Sequence, residues 1–399
     1  MSADTRARAT QRSLVIAPQW IGDAIMAEPL LRLLHARGET LTVAALPWVA
    51  PVLRAMPCVG AVLELPFAHG GLQWSARRSL GRVLQEQFDR AYVLPNSLKS
   101  ALIPWWANIP VRLGYQGELR WGLLTQRLPN PPKDSRAPMV QHYLRLAELA
   151  APTGAAHPGT SDLGHPATSL HARETYDIGT GTGTASAKAT ATTTAAAAST
   201  GPQLQAPHAS VLEGLELPTE PYLTMAPGAE YGGAKRWPVE HYAALVRALP
   251  YPVLLLGSGK DTAVCEAIVA QAQTPRCTSL AGRTSLTQAL ALIAGARAMV
   301  SNDSGLMHVA AALGVPQVAL FGSSSPHHTP PLNPRAQVLW LKEDAAYRPA
   351  LDCAPCFQRE CPHGHLRCLR DLSPPQVLQA VEAIFMHQIG HSRSSSNGL

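Results

Sequence analysis

The residues able to do chemistry fall in three turns, each placed after a short apolar run and before a helical pattern. In Trp20-Ile21-Gly22-Asp23 a carboxylate stands just beyond Leu14-Val15-Ile16-Ala17-Pro18, at the head of a helical pattern that runs through Leu30, Leu31, Leu33 and Leu34 to Gly38. Asp23 there has two uses: capping the helix by accepting backbone N–H bonds, the commoner role on composition alone, or taking the proton from an acceptor hydroxyl as general base. A helix N-terminus lowers a carboxylate pKa and so weakens it as a base. Pro29 predicts a kink or a short first helix.

The second turn, Pro227-Gly228-Ala229-Glu230-Tyr231-Gly232-Gly233-Ala234-Lys235-Arg236-Trp237-Pro238, sets flexible glycines before two cations. Its backbone can approach a diphosphate closely, with Glu230 and Lys235 as donor-site candidates; Lys235 can neutralise charge developing on a leaving nucleotide diphosphate. The alternative is a connecting loop with a solvated Lys-Arg pair. The third turn, Ser301-Asn302-Asp303-Ser304-Gly305-Leu306-Met307-His308, opens a helix, where free N–H groups favour phosphate. Capping needs only one of Asn302, Asp303 and Ser304, which leaves the others for ribose, sugar or phosphate. His308 is either a further contact or an ordinary half-buried histidine.

Near the end stand Cys353, Cys356, Cys361 and Cys368, with His363 and His365 among them. One C-x-x-C pair suits a structural zinc site; reduced thiols or an adventitious disulfide are the alternatives, and none implies catalysis. Gly257-Ser258-Gly259-Lys260-Asp261 fails as a phosphate-binding loop, because Leu254 occupies the first glycine position and Asp261 that of the Ser or Thr. The chain has no G-x-S-x-G, no H-E-x-x-H and no D-x-D to hold a metal-bound nucleotide sugar, so metal-free transfer with no required cofactor is expected.

These turns need elements to hold them. Strand patterns at Leu41–Leu46 and Ala91–Leu94, and at Tyr222–Ala226, Pro252–Leu256, Ala298–Ser301 and Gln317–Phe321, alternate with helical stretches, which implies parallel sheets covered on both faces. The expected class is α/β, two parallel-sheet domains facing a central cleft at the strand carboxyl ends. Residues 1–152 form the first domain and 219–373 the second, with the Cys-rich segment. Residues 153–218 turn to Ala, Thr, Gly, Ser and Pro, a composition that cannot bury enough apolar area to offset its entropy, and read as a disordered linker. Gly179, Gly181 and Gly183 within it follow no strand and make no dinucleotide fingerprint. Residues 374–399 read as a helix from Pro374 that packs back on the first domain, with a flexible end.

The chain's 399 residues, 46% hydrophobic and 15% charged, suit a two-domain globular enzyme rather than a disordered or coiled-coil protein. Residues 1–150 hold fifteen Arg and two Lys against ten Asp or Glu, a surplus of +7 within a total of +6. The front therefore suits an anionic ligand or surface, and Lys99, Arg112 and Arg120 are the candidates to bind it. The polar, basic start lacks a secretory apolar core, and no apolar run approaches the ~18–20 residues that span a bilayer, so a cytoplasmic protein is expected, with any membrane association peripheral and its cysteines mostly reduced.

Read together, Ala17-Pro18-Gln19-Trp20-Ile21-Gly22-Asp23, Leu94-Pro95-Asn96-Ser97-Leu98-Lys99-Ser100-Ala101, Pro227–Pro238 and Asn302–His308 closely resemble the lipopolysaccharide heptosyltransferases of glycosyltransferase family 9. The resemblance covers residues 13–150 and 219–388, and Asn-Asp-Ser-Gly-Leu-Met-His is closer to the second transferase of the family than to the first. It implies a two-lobed GT-B fold and an inverting transfer from ADP-L-glycero-β-D-manno-heptose to a heptose of the Kdo-bearing inner core, an anionic glycolipid at the inner face of the cytoplasmic membrane. It further implies Asp23 as base, Lys235 on the donor diphosphate, and donor contacts from Asp303, Ser304, Gly305 and His308. The rivals are a transferase with another acceptor, a two-lobed nucleotide-sugar epimerase, and a zinc-containing nucleic-acid binder. The last is disfavoured because charge and cysteines lie at opposite ends. Oligomeric state stays open.

Overall fold

The computed structural model describes residues 10–67, 71–132, 136–149 and 201–395. The first lobe is a sheet of β1 (Gln11–Ile16), β2 (Glu39–Ala45), β3 (Ala61–Glu64), β4 (Arg90–Val93), β5 (Val111–Tyr115) and β6 (Gln126–Leu128), in the order β3-β2-β1-β4-β5-β6. The second holds β7 (Leu223–Ala226), β8 (Val253–Leu255), β9 (Cys277–Ser279), β10 (Ala298–Asn302), β11 (Gln317–Phe321) and β12 (Ala336–Trp340), in the order β12-β11-β10-β7-β8-β9. Every pairing is parallel.

Read from its other edge, the second order repeats the first. Each sheet therefore reverses its winding at a central pair, β1 beside β4 and β7 beside β10, and opens a crevice at their carboxyl ends. The central strands are apolar on both faces, as helix-covered parallel strands must be: Leu14, Val15, Tyr92, Val93, Leu223, Met225, Met299 and Val300 are fully buried.

After β1 the chain makes two helices, Ile21–Met26 and Glu28–Ala36, broken at Ala27. Pro29 sits in the first turn of the second, where its missing N–H is no loss. The strands β3, β5, β6, β9 and β12 and the helix Leu98–Trp106 have no counterpart in the sequence patterns. These strands are short, and β3 and β12 are edge strands with mixed exposure.

Two expectations are corrected. The helix Pro374–Ser395 packs on the second lobe, not the first: Val377, Ala380, Val381 and Ile384 recur on one helical face and join the cluster of Trp237, Leu245 and Leu320. Of the segment read as linker, 153–200 lies outside the described residues, as do 396–399, but 201–218 is packed. Leu204, Leu212 and Leu217 lean on the core, and the 201–205 stretch ties the lobes together. Leu204 N donates to Ala312 O (3.0 Å) in the second lobe and Gln205 N to Ala55 O (2.8 Å) in the first.

Beneath this strap lies Glu28, 1% exposed. Its carboxylate accepts from Gln203 N (3.1 Å) and pairs with Arg32 (3.3 Å), whose Nη2 donates to Gly201 O (2.7 Å). Burial outweighs these partners and raises the Glu28 pKa from 4.5 to about 7. The unfolded chain ionises near 4.5 and the folded one near 7, so Glu28's contribution to stability is complete below pH 4.5 and lost as pH rises through 7. Melting temperatures from pH 4.5 to 8 should therefore fall across that window in the wild type and run flatter in Glu28→Gln; parallel curves would refute the assignment.

Candidate active site

Four loops leave the two crevices, and they are the four polar motifs of the sequence. Pro18–Asp23 follows β1, Pro95-Asn96-Ser97 follows β4, Pro227–Pro238 follows β7, and Asp303-Ser304 follows β10. The lobes meet where the helix Ile21–Met26 faces the helix Gly305–Ala312. A Cβ on Gly22 would stand 2.9 Å from His308 Cδ2, and one on Gly305 would stand 3.0 Å from Ile21 Cβ. Only glycine lets the backbones approach this closely.

Asp23 lies at this junction. Trp20, not Asp23, is the N-cap of its helix, and no side chain caps it, so the capping role falls away. Asp23 is half-buried. Desolvation raises its pKa from 3.8 to about 6; Lys235 pulls it down and Asp303 pushes it up. The expectation of a base weakened by the helix terminus is thus reversed, because loss of water outweighs the dipole of a six-residue helix.

Lys235 Nζ pairs with Asp303 Oδ2 at 2.6 Å and lies 5.3 Å from the centre of the Tyr231 ring. Asp303 is buried, and its Oδ1 accepts from Thr329 Oγ1 at 3.4 Å. Asn302 proves to be scaffold: its Oδ1 accepts from Trp237 N and Tyr242 OH (both 3.1 Å) and its Nδ2 donates to Pro227 O (2.7 Å), binding the lysine loop to the end of β10. Ser304 is the N-cap residue of the Gly305 helix but makes no side-chain cap bond, and its buried Oγ has no partner among the described residues. His308 is buried and held neutral at pH 7, its pKa lowered to about 4 chiefly by burial. Glu230 stands outward, paired with Lys260 from the loop after β8.

Sequence reading missed what holds the lysine loop. Arg359 O accepts from Ala234 N (2.9 Å), Glu360 Oε1 from Gly233 N (3.2 Å), and Phe357 O from Tyr231 OH (3.0 Å). A Cβ on Gly232 would collide with the Arg359 carbonyl. All three partners belong to the Cys-rich segment. Cys353, Cys356, Cys361 and Cys368 line one small void with His363, His365 and Ala234, and the Cys368 thiol is pushed up to about 12 by burial and then by the other three. Among the described residues no group of three or more His, Cys, Asp or Glu is arranged to hold a metal ion.

The three front-lobe cations do not form one patch. Arg112 donates to Leu123 O (2.6 Å) and Ile109 O (2.5 Å). Arg120 is 1% exposed and donates to Pro95 O (2.7 Å), Asn96 Oδ1 (2.8 Å) and Tyr115 O. Both hold loops together, and the guanidinium groups expected to bind an acceptor are already committed to carbonyls. Lys99 opens the helix Leu98–Trp106 on the cleft side, and its carbonyl accepts from Arg77 (3.3 Å).

Two doubly wound lobes whose crevice loops set one buried carboxylate near a Lys–Asp pair form the two-lobed GT-B architecture. The model of "Glycosyltransferase family 9 (heptosyltransferase)" matches residues 77–366. The chain is 38% identical to lipopolysaccharide heptosyltransferase 2 of Escherichia coli K12 over 94% of its own length and 99% of that protein, and 37% identical to lipooligosaccharide heptosyltransferase 2 of Haemophilus influenzae over 93% and 98%. The solved structure of E. coli ADP-heptose lps heptosyltransferase II superposes with a TM-score of 0.70 at 35% identity, covering 95% of this chain and 99% of that one. The chain belongs to glycosyltransferase family 9, the heptosyltransferases.

Gly22→Ala should force the two lobes apart at His308. Turnover should drop by about tenfold or more, the scale on which misplaced reacting groups lose rate, while ADP affinity stays within about threefold. Unchanged turnover would show that the lobes need not meet here. For the Cys-rich segment, Cys353→Ser with Cys356→Ser should lower the melting temperature and raise the donor KM with kcat little changed; a stable variant with intact KM and no turnover would contradict a purely supporting role.

Proposed function

We propose that the protein transfers heptose from ADP-L-glycero-β-D-manno-heptose to the first heptose of the lipopolysaccharide inner core, with inversion, on an acceptor held at the inner face of the cytoplasmic membrane. The observation that carries this reading is Asp23, a carboxylate raised to about 6 by burial between the lobes and set against the donor-side pair Lys235–Asp303. In the first lobe Asp23 takes the proton of the acceptor hydroxyl. In the second, Lys235 and the free N–H groups of the Gly305 helix stabilise the negative charge that gathers on departing ADP. Ser304, with an unpartnered hydroxyl, and neutral His308 supply hydrogen bonds rather than charge. Glu230 belongs to the same donor side, and Lys99, at the head of the helix Leu98–Trp106, is a candidate for the acceptor's anionic groups.

A single general base opposite a stabilised leaving group suits one in-line displacement, which inverts the anomeric centre. A nucleic-acid-binding reading loses its zinc module, since the Cys-rich segment clasps the lysine loop rather than standing apart. Curated relatives aligned over nearly their full length are named heptosyltransferase 2, which supports the second transferase over the first.

Incubation with ADP-heptose and a core oligosaccharide truncated after its first heptose should add one heptose by mass. Asp23→Asn should bind ADP nearly normally and slow transfer by about 10²–10⁴-fold, and Lys235→Ala should cost about 2–4 kcal/mol in transition-state stabilisation. Addition of the sugar at normal rates by Asp23→Asn would remove the aspartate from the chemistry.

A further inference from the structure

The loop between β5 and β6 is built inside out. At its centre Arg120, the charged residue, is 1% exposed and bonded to three oxygens of the lobe, whereas Leu119 and Trp121 on either side are 84% and 68% exposed. Glu118, itself exposed, ties the loop down by accepting from Leu98 N at 2.8 Å, and a Cβ on Gly117 would stand 2.8 Å from Asn96 O. Glu118 and Leu119 both hold positive φ, 25° and 54°, a region that leucine rarely adopts. The polar members of the loop are thus a framework that pins two large apolar side chains outward. A solvated loop would do the opposite, and apolar groups held exposed in this way mark a surface meant to be covered.

Position and charge indicate what covers it. β5 lies two strands from β1, so the loop leaves the same sheet edge as the Asp23 turn at a lateral distance of about 10 Å. Trp20 and Trp48, 48% and 41% exposed, stand at that edge too. Arg127 lies 5.1 Å from the centre of the Trp121 ring and donates to Trp121 O (3.1 Å), which puts a cation beside the apolar tip. An indole with an adjacent guanidinium is the pairing that sits at a lipid–water interface. Two side chains on a narrow loop fall short of the ~1,200–2,000 Å² that a stable protein interface buries, whereas a bilayer surface needs only a few apolar groups and positive charge. Among the described residues no helix is long and apolar enough to cross a membrane.

We propose that residues 116–122 seat the enzyme on an anionic phospholipid bilayer, with Leu119 and Trp121 entering the headgroup layer and Arg127 at the level of the phosphates. The proposal rests on the reading above that the acceptor is a membrane glycolipid, and it adds the surface by which the cleft is held to that membrane.

The test is co-sedimentation of the full chain with vesicles of phosphatidylethanolamine and phosphatidylglycerol, and with phosphatidylcholine vesicles, using wild type and Leu119→Asn with Trp121→Gln. Asparagine tolerates the positive φ at 119, so this variant should fold. Wild type should partition onto the anionic vesicles, and the double variant should lose about tenfold or more of that partitioning. Its KM for vesicle-embedded acceptor should rise, while turnover on a water-soluble core oligosaccharide should match wild type. Equal vesicle binding by both proteins would overturn the proposal. So would loss of turnover on the soluble acceptor, which would make the loop part of the sugar site, or Leu119- and Trp121-dependent self-association without lipid, which would make it a contact between copies. Vesicle binding that depends on these residues in an enzyme that transfers no heptose would uphold the surface and refute the assigned reaction.

Discussion

The structure depends on half-burying one carboxylate at the junction of the lobes without giving it a hydrogen-bonded counterion among the described residues. Asp23 belongs to the first lobe and sits one residue from the Gly22 contact with the second, and both charges that tune it belong to the second. Neither lobe makes this group alone. That explains the glycines on each side of the junction, Gly22 and Gly305, because a methyl group at either position would separate the surfaces whose contact keeps water away. It also explains why Lys235 is paired with Asp303 rather than with Asp23. A direct ion pair would return Asp23 to the ordinary carboxylate range, whereas a cation shared with a neighbouring aspartate acts on it only at a distance.

Behind this junction the fold uses one solution twice. Both sheets wind in the same order and both offer the crevice at a central strand pair. The lobes therefore differ in function through their loops rather than their cores. The second lobe's loops are tied more closely: Asn302 and the 357–360 stretch fasten the glycine-rich lysine loop from both sides, so its shape is set before any ligand arrives. The 201–205 strap, bonded to both lobes, sets where one stands against the other.

Much of this was legible in the residues because turns at the carboxyl ends of parallel strands concentrate polar groups after apolar runs. Asp23, Lys235, Asp303, Ser304 and His308 were all singled out from such turns, and strand–helix alternation sufficed for the α/β class. What stayed hidden was decided by distant partners. The raised pKa of Asp23 comes from burial at the junction of the lobes, and both charges that act on it, Lys235 and Asp303, lie more than two hundred positions away, so its helix terminus alone points in the wrong direction. A count of arginines cannot distinguish a guanidinium that meets solvent from one bonded to loop carbonyls, as those of Arg112 and Arg120 are. The last helix shows an apolar face but not which lobe receives it, and the end of the Ala/Thr-rich segment owes its order to contacts with both lobes.

The most direct test of the shared carboxylate is the acid limb of kcat/KM, measured in the wild type and in the weakly active variants Lys235→Met and Asp303→Asn. Asp23 must be ionised to accept a proton, so wild-type activity should fall as pH drops through about 6. Lys235 lowers the aspartate's pKa and Asp303 raises it, so loss of the lysine should move the limb to higher pH and loss of Asp303 should move it lower. A limb near the ordinary carboxylate value that stays in place in both variants would contradict the account, because Asp23 would then titrate in water and owe nothing to the second lobe.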